Sequence, residues 1–179
     1  MAFVPVMDTP LRIFDFDGTL VRLEIDWTTL RASTNVVRLS ELWNLEPSGV
    51  GGAWQIVAAA EVHAAQVSPL NHAMLDAIGT DSAWAILTNN SEAAVHAALA
   101  RVPGDRRTPI VVGRERLGGP KESFEVFRKG CEVICSESNP LRSQSVHYVG
   151  DSPYEIEYAS TLGFHAELVQ WPVQDEARA

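Results

Sequence analysis

Leu11-Arg12-Ile13-Phe14-Asp15-Phe16-Asp17-Gly18-Thr19-Leu20 is the stretch from which the rest of this 179-residue chain is read. Leu11, Ile13 and Phe14 are apolar and free of breakers, which predicts a short buried strand. The strand ends in two aspartates one residue apart, followed by Gly-Thr. Along an extended chain alternate side chains share a side, so Asp15 and Asp17 are expected close together. Two carboxylates that close repel each other unless a cation stands between them. The carboxyl end of a buried strand is also where open α/β sheets bind their ligands. Asp and Gly dominate turns as well, so these ten residues alone also fit a plain turn.

The chain beyond Leu70 supplies the context. Leu70 to Ile78 reads as a short amphipathic helix, and Ala83 to Leu87 as an apolar strand ending in Thr88-Asn89-Asn90. Ser91 suits the cap of a helix over Glu92–Arg101. Ile110–Val112 is the next expected strand, followed by a Gly-Gly-Pro-Lys loop and a helix from Glu122 to about Cys135. Val146–Val149 stops at Gly150-Asp151-Ser152-Pro153, Tyr154–Leu162 is a helix closed by Gly163, and Phe164–Val169 is a last strand. Strands separated by helices of this length predict an α/β fold, a parallel sheet covered on both faces.

Between these parts lies a different pattern. Thr19–Trp27 suggests a turn and a small hairpin-like flap. From Thr28 the spacing is helical, with Leu30 and Val37 on one face and Val36, Leu39 and Trp43 on another, until Glu46-Pro47-Ser48-Gly49 breaks it. A second helix is expected over Ala53–Val67, stopped by Ser68-Pro69. Residues 26–68 therefore read as a small helical insertion, and residues 1–25 and 69–179 as the α/β core domain.

Composition narrows the function classes. The chain is 46% hydrophobic and 21% charged, as in ordinary globular proteins. Lys plus Arg total 14 against 23 Asp plus Glu, a net charge of −9 that argues against binding nucleic acid. Met1–Pro10 lacks the features of a signal peptide and no apolar run is long enough for a membrane span, so a cytoplasmic location is expected. Cys131 and Cys135 lack a second pair to complete a zinc site and are expected to be reduced.

The polar residues at the expected strand ends form a set: Asp15 and Asp17, Thr88 and Asn89, then Asp151, with Lys121 at a helix start. In a parallel sheet those ends open at one edge. A carboxylate nucleophile, a second carboxylate, a hydroxyl, an ammonium and a third carboxylate suited to a hard cation are the equipment of phosphoryl transfer.

These residues resemble the four motifs of the haloacid dehalogenase (HAD) superfamily of phosphohydrolases. Asp15-Phe16-Asp17-Gly18-Thr19-Leu20 matches the first, Ile86-Leu87-Thr88-Asn89 the second, Pro120-Lys121 the third and Val149-Gly150-Asp151-Ser152 the fourth. The resemblance implies a three-layer Rossmann-like core and a phosphatase that works through an aspartyl-phosphate. It implies Asp15 as nucleophile and Asp17 as general acid, then base. Mg²⁺ would be held by Asp15, the Asp17 carbonyl and Asp151. Thr88, Asn89 and Lys121 would hold the phosphoryl group. Relatives often carry aspartate where this chain has Glu155, which is therefore expected either to orient Lys121 or a metal-bound water, or to be a solvated first-turn glutamate. Dehalogenases of the superfamily lack an aspartate at the position of Asp17, so a small phosphate monoester is the expected substrate, most like the phosphoglycolate-phosphatase branch. A phosphomutase, or an idle binding module that keeps the fold, are the rival expectations. The 26–68 insertion stands where relatives carry a cap but is shorter than a four-helix one, so the expectation is either room for a bulkier substrate or a partner subunit, in a homodimer, that closes the site. Arg22, Arg31 and Arg38 are conceivable substrate contacts in or near it.

Overall fold

The computed structural model describes residues 10–79, 83–138 and 145–171. Its centre is β1 (Leu11–Phe14), flanked by β2 (Trp84–Leu87) and β3 (Ile110–Val112) on one side and by β4 (Val146–Gly150) and β5 (His165–Leu168) on the other. The order is β3-β2-β1-β4-β5, with every neighbouring pair parallel. The chain thus winds outward from β1 to β3, then returns to the opposite side of β1. That reversal leaves a crevice between the carboxyl ends of β1 and β4, the place where doubly wound sheets bind ligands.

Apolar side chains leave β1 on both faces because the sheet is covered twice. Phe14, Ile86, Val111 and Val149 pack with Leu75, Ile78, Val95 and Ala98 on one side. Leu11, Ile13, Leu87 and Tyr148 pack with Phe127, Cys131 and Ile134 on the other. The helices of the first layer include α4 (His72–Ile78) and α5 (Glu92–Leu99), and those of the second α7 (Phe124–Glu137) and α8 (Pro153–Thr161). Ser91 caps α5, its hydroxyl accepting from the Ala94 N–H at 3.3 Å. Cys131 and Cys135 lie on α7 and are free thiols. No helix among the described residues is long and apolar enough to cross a membrane.

The segment between β1 and α4 departs from the sequence reading in two places. The expected hairpin-like flap does not pair with itself: Val21 bridges to Leu70, and the Glu24 N–H donates to Ser68 Oγ at 2.9 Å. The helix expected to continue through Trp43 ends as α1 (Trp27–Thr34). Asn35 takes a left-handed conformation, φ 54°, which asparagine tolerates better than most residues. The chain then makes a 3₁₀ turn at Leu39–Glu41 and a short α2 (Leu42–Leu45). Val37 consequently shares no buried face with Leu30 and is 79% exposed. The long α3 (Gly52–Val67) links both parts of the molecule. Trp54 and Val57 join Leu30, Leu42 and Trp43 in a small cluster, whereas Ala64 and Ala65, near its other end, sit in the main core. Ser68, before a proline, leaves the helix for extended backbone.

Candidate active site

β1 delivers Asp15 and Asp17 to the crevice. The Asp15 N–H donates to the Val149 carbonyl at 2.8 Å, which prolongs the pairing with β4 by one residue. The chain then curls over the Phe16 carbonyl, which accepts from the N–H groups of Leu20 and Val21. Gly18 makes this curl possible: its φ is +83°, and a Cβ there would stand 2.0 Å from Asp151 Oδ2. Only the missing side chain lets the β4 carboxylate lean over the β1 loop.

Asp15, Asp17, Thr88, Asn89, Lys121, Asp151 and Glu155 all line one cavity of about 320 Å³. The structure therefore brings together every residue singled out from the sequence as a site residue. Arg22, Arg31 and Arg38 are not among its lining residues.

Lys121 is the electrostatic pivot. Its ammonium contacts Asp15 Oδ1, Glu155 Oε1 at 2.8 Å and the Leu87 carbonyl at 3.2 Å, so all three N–H donors have an acceptor. Burial by itself would favour the neutral amine, but Asp15 and Glu155 outweigh it and raise the ammonium above its ordinary value. Lys121 is buried, 3% exposed. Glu155 is 1% exposed and accepts from the hydroxyls of Tyr148 at 2.5 Å and Tyr154 at 3.1 Å. It meets the Lys121 ammonium from a buried position and is not a solvated first-turn glutamate.

One ammonium between two carboxylates leaves this part of the site short of positive charge. Burial pushes the Asp15 carboxyl up, Lys121 opposes the rise and Glu155 adds to it, leaving Asp15 at about 8. Asp17 is raised to about 6, by burial first, against the pull of the Leu23 N–H and with the charges of Asp151 and Glu61 adding to it. A divalent cation would supply what is missing. The donor set suits a hard one: the carboxylates of Asp15 and Asp151 and the main-chain carbonyl of Asp17 are all oxygen. Among the described residues no group of three or more His, Cys, Asp or Glu side chains is arranged to hold a metal ion. Asp17 Oδ1 accepts from the Leu23 N–H at 2.8 Å, which fixes the carboxylate beside the loop.

The loop after β2 completes the site. Thr88 Oγ1 donates to Asn90 Oδ1 at 2.9 Å and accepts from the Asn90 N–H at 3.1 Å. Asn89 Oδ1 accepts from the Lys121 N–H at 2.8 Å, which ties the loop to the start of α7. Asn90 Nδ2 donates to Glu61 Oε1 at 3.2 Å and the Ser91 N–H to Glu61 Oε2 at 2.9 Å. Glu61 is paired in turn with Arg114, whose Nη1 and Nη2 donate to its two oxygens at 2.8 and 3.1 Å. Arg114 opens α6 (Arg114–Leu117), is 1% exposed, and lies 4.5 Å from the Trp54 ring centroid.

Sequence reasoning missed Glu61, Asn90, Arg114 and Tyr148. For Glu61 a signal existed: it is the only charged residue of α3, in a helix otherwise rich in alanine and valine. A carboxylate there needs a buried partner. Arg114 carries no local pattern that separates it from its neighbours Arg107 and Arg116.

No protein-family model matches the chain, and no curated protein matches it. Solved structures do. The chain is similar to a predicted HAD-like family hydrolase from Porphyromonas gingivalis, with a TM-score of 0.60 and 14% identity over 93% of this chain and 94% of that one. It is similar to a HAD family enzyme from Bacteroides thetaiotaomicron solved as a magnesium complex, with a TM-score of 0.58 and 10% identity over 94% and 97% of the two chains. A 2-haloacid dehalogenase from Pseudomonas syringae pv. Tomato gives a TM-score of 0.55 and 19% identity over 96% and 91%. At these identities the likeness establishes the fold, which is HAD-like.

Proposed function

We propose that this chain is a Mg²⁺-dependent phosphohydrolase of the haloacid dehalogenase superfamily that cleaves a phosphate monoester through an aspartyl-phosphate. The observation that carries the reading is the convergence of Asp15, Asp17, Thr88, Lys121 and Asp151 on one cavity at the switch point of a HAD-like sheet. The four-motif match in the sequence and the Asp15–Lys121–Glu155 arrangement support it together.

The side chains divide the work as follows. Lys121, fixed by Glu155 and the Leu87 carbonyl, holds the Asp15 oxygen and faces the incoming phosphoryl group. Asp15 reacts in its ionised form: the oxygen that Lys121 does not hold attacks phosphorus, and the bond from phosphorus to the ester oxygen breaks. Asp17, raised to about 6, carries a proton often enough near neutrality to give it to the departing oxygen. As a carboxylate it then takes a proton from water, the water oxygen bonds to phosphorus, and the bond to Asp15 breaks. Mg²⁺, held by Asp15, Asp151 and the Asp17 carbonyl, would offset the charge of nucleophile and phosphate together.

The competing activity within the same fold is halide removal from a haloacid, the reaction named for one neighbour. Halide leaves without a proton, and a protonatable Asp17 beside the nucleophile has no task in that reaction. A panel of phosphate monoesters and 2-haloacids with Mg²⁺ separates the two. Phosphate release with no halide release is expected, and halide release alone would overturn the proposal.

A further inference from the structure

The cavity has two chemically distinct ends. One holds Asp15, Thr88 and Lys121, where the phosphoryl group is received. The other is built by the insertion, from Trp27, Leu39, Trp43, Trp54 and Val57, and Tyr154 also lines the cavity. Trp43 and Trp54 lie with centroids 5.0 Å apart and planes 56° to each other, and at 9% and 4% exposed each offers the cavity a narrow strip of ring. Trp27 and Tyr154 are half-buried.

Charge decides what this second end accepts. The cations among the described lining residues are Lys121 and Arg114. Lys121 belongs to the phosphoryl end. Arg114 is held by both oxygens of Glu61 and lies against the Trp54 ring, with its buried Nε lacking an acceptor. The remaining charged lining residues, Asp17, Glu61, Glu122 and Asp151 among them, are acidic. A carboxylate or second phosphate on the leaving group would find no unpaired cation there to offset the cost of burying its charge. A flat uncharged ring meets aromatic surface instead.

Resting on the phosphohydrolase reading above, we infer that the substrate is a phosphate monoester of an uncharged, aromatic-bearing alcohol, with Trp43 and Trp54 as its specificity-determining residues. A two-carbon carboxylated phosphate is the wrong ligand for this cavity.

The test takes the wild-type chain with Mg²⁺ and three esters that all leave as alkyl alcohols: benzyl phosphate, n-butyl phosphate and carboxymethyl phosphate. Their leaving-group chemistry is similar, so differences in kcat/KM report the organic end of the cavity. Benzyl phosphate is expected to exceed both others by about tenfold, the order of one good aromatic contact. Trp54→Leu is expected to bring the benzyl to butyl ratio toward one. Trp43→Phe, which keeps a ring in the cluster, is expected to lower the ratio less. Equal rates for benzyl and butyl phosphate, or preference for carboxymethyl phosphate, would overturn the inference.

A second readout needs no turnover. On adding benzyl alcohol, the indole N–H resonances of Trp43 and Trp54 are expected to shift. That of Trp84, which donates to the Arg107 carbonyl at 2.6 Å away from this cavity, is expected to stay. Shifts in a protein that hydrolyses no ester would uphold the aromatic cavity while the phosphohydrolase reading fails. Unmoved Trp43 and Trp54 resonances would mean that these rings only fill the core of the insertion, and the inference would fall even if phosphate is released.

Discussion

At the scale of single residues the site is a problem of charge, and Lys121 is where it is solved. Removing one member of a buried ion pair costs about 3–5 kcal/mol because the remaining charge is left uncompensated. Lys121→Met should therefore lose about that much stability near neutral pH, read from urea unfolding. With the ammonium gone, the Asp15 carboxyl, already at about 8, rises further above its unfolded value. Its protonated form is then the one the fold favours, so its contribution is fully present below about pH 4 and lost as pH climbs. The wild type shares that loss between about pH 4 and 8, so the deficit of the variant should stay level there. It should grow as pH climbs past about 8, where Asp15 ionises beside Lys121 in the wild type alone. A deficit that stays level beyond that pH would contradict the charge account. The aspartates and Thr88 were legible because each stands at the end of an apolar run, where topology gathers side chains, and Lys121 because it lies in a Gly-Gly-Pro-Lys loop that fits the third motif. Glu155 left two readings open in the sequence, since a first-turn glutamate is ordinary; its burial against Tyr148 and Tyr154 depends on packing that no local pattern encodes.

At the scale of elements, α3 does what a hinge-free clamp would do. Its first half belongs to the aromatic cluster of the insertion and its last turns to the main core. Arg101 fixes that end, Nη1 donating at 2.8 Å to the carbonyls of Ala65 and Ser68. Glu61 fixes the middle by holding Arg114, Asn90 and Ser91. Glu61→Ala should cost about 3–5 kcal/mol, because it strands a buried guanidinium. In the Arg114→Met background the same change should cost much less, and additivity of the two would show that the pair is not coupled. The strands and the helices over the sheet were readable from alternation, and β1 through β5 stand where the apolar runs predict. The insertion was read less well. Leu30 to Trp43 has helical spacing throughout, but Asn35 ends the helix, and a single left-handed residue leaves no mark on periodicity. Nor does Ser68-Pro69, which ends the helix, mark the change of packing partner: Ala64 and Ala65 are already in the main core.

At the scale of the whole molecule, the crevice between β1 and β4 places repelling carboxylates where a cation relieves them. Mg²⁺ at a hundredfold excess over its dissociation constant should stabilise the fold by about 2.7 kcal/mol, seen as a raised Tm. Asp151→Asn should remove much of that shift without removing the fold, because Asp151 is an exposed residue. A metal-dependent shift unchanged in Asp151→Asn would exclude it as a ligand. The central claim, though, is covalent: Asp15 carries the phosphoryl group between two displacements. Rapid acid quench of the enzyme with Mg²⁺ and a monoester carrying radiolabelled phosphorus tests it most directly. The account predicts label on the peptide containing Asp15, released by hydroxylamine as an acyl phosphate is, and no label in Asp15→Asn. Phosphate release in the wild type with no label on that peptide, together with wild-type turnover in Asp15→Asn, would contradict it.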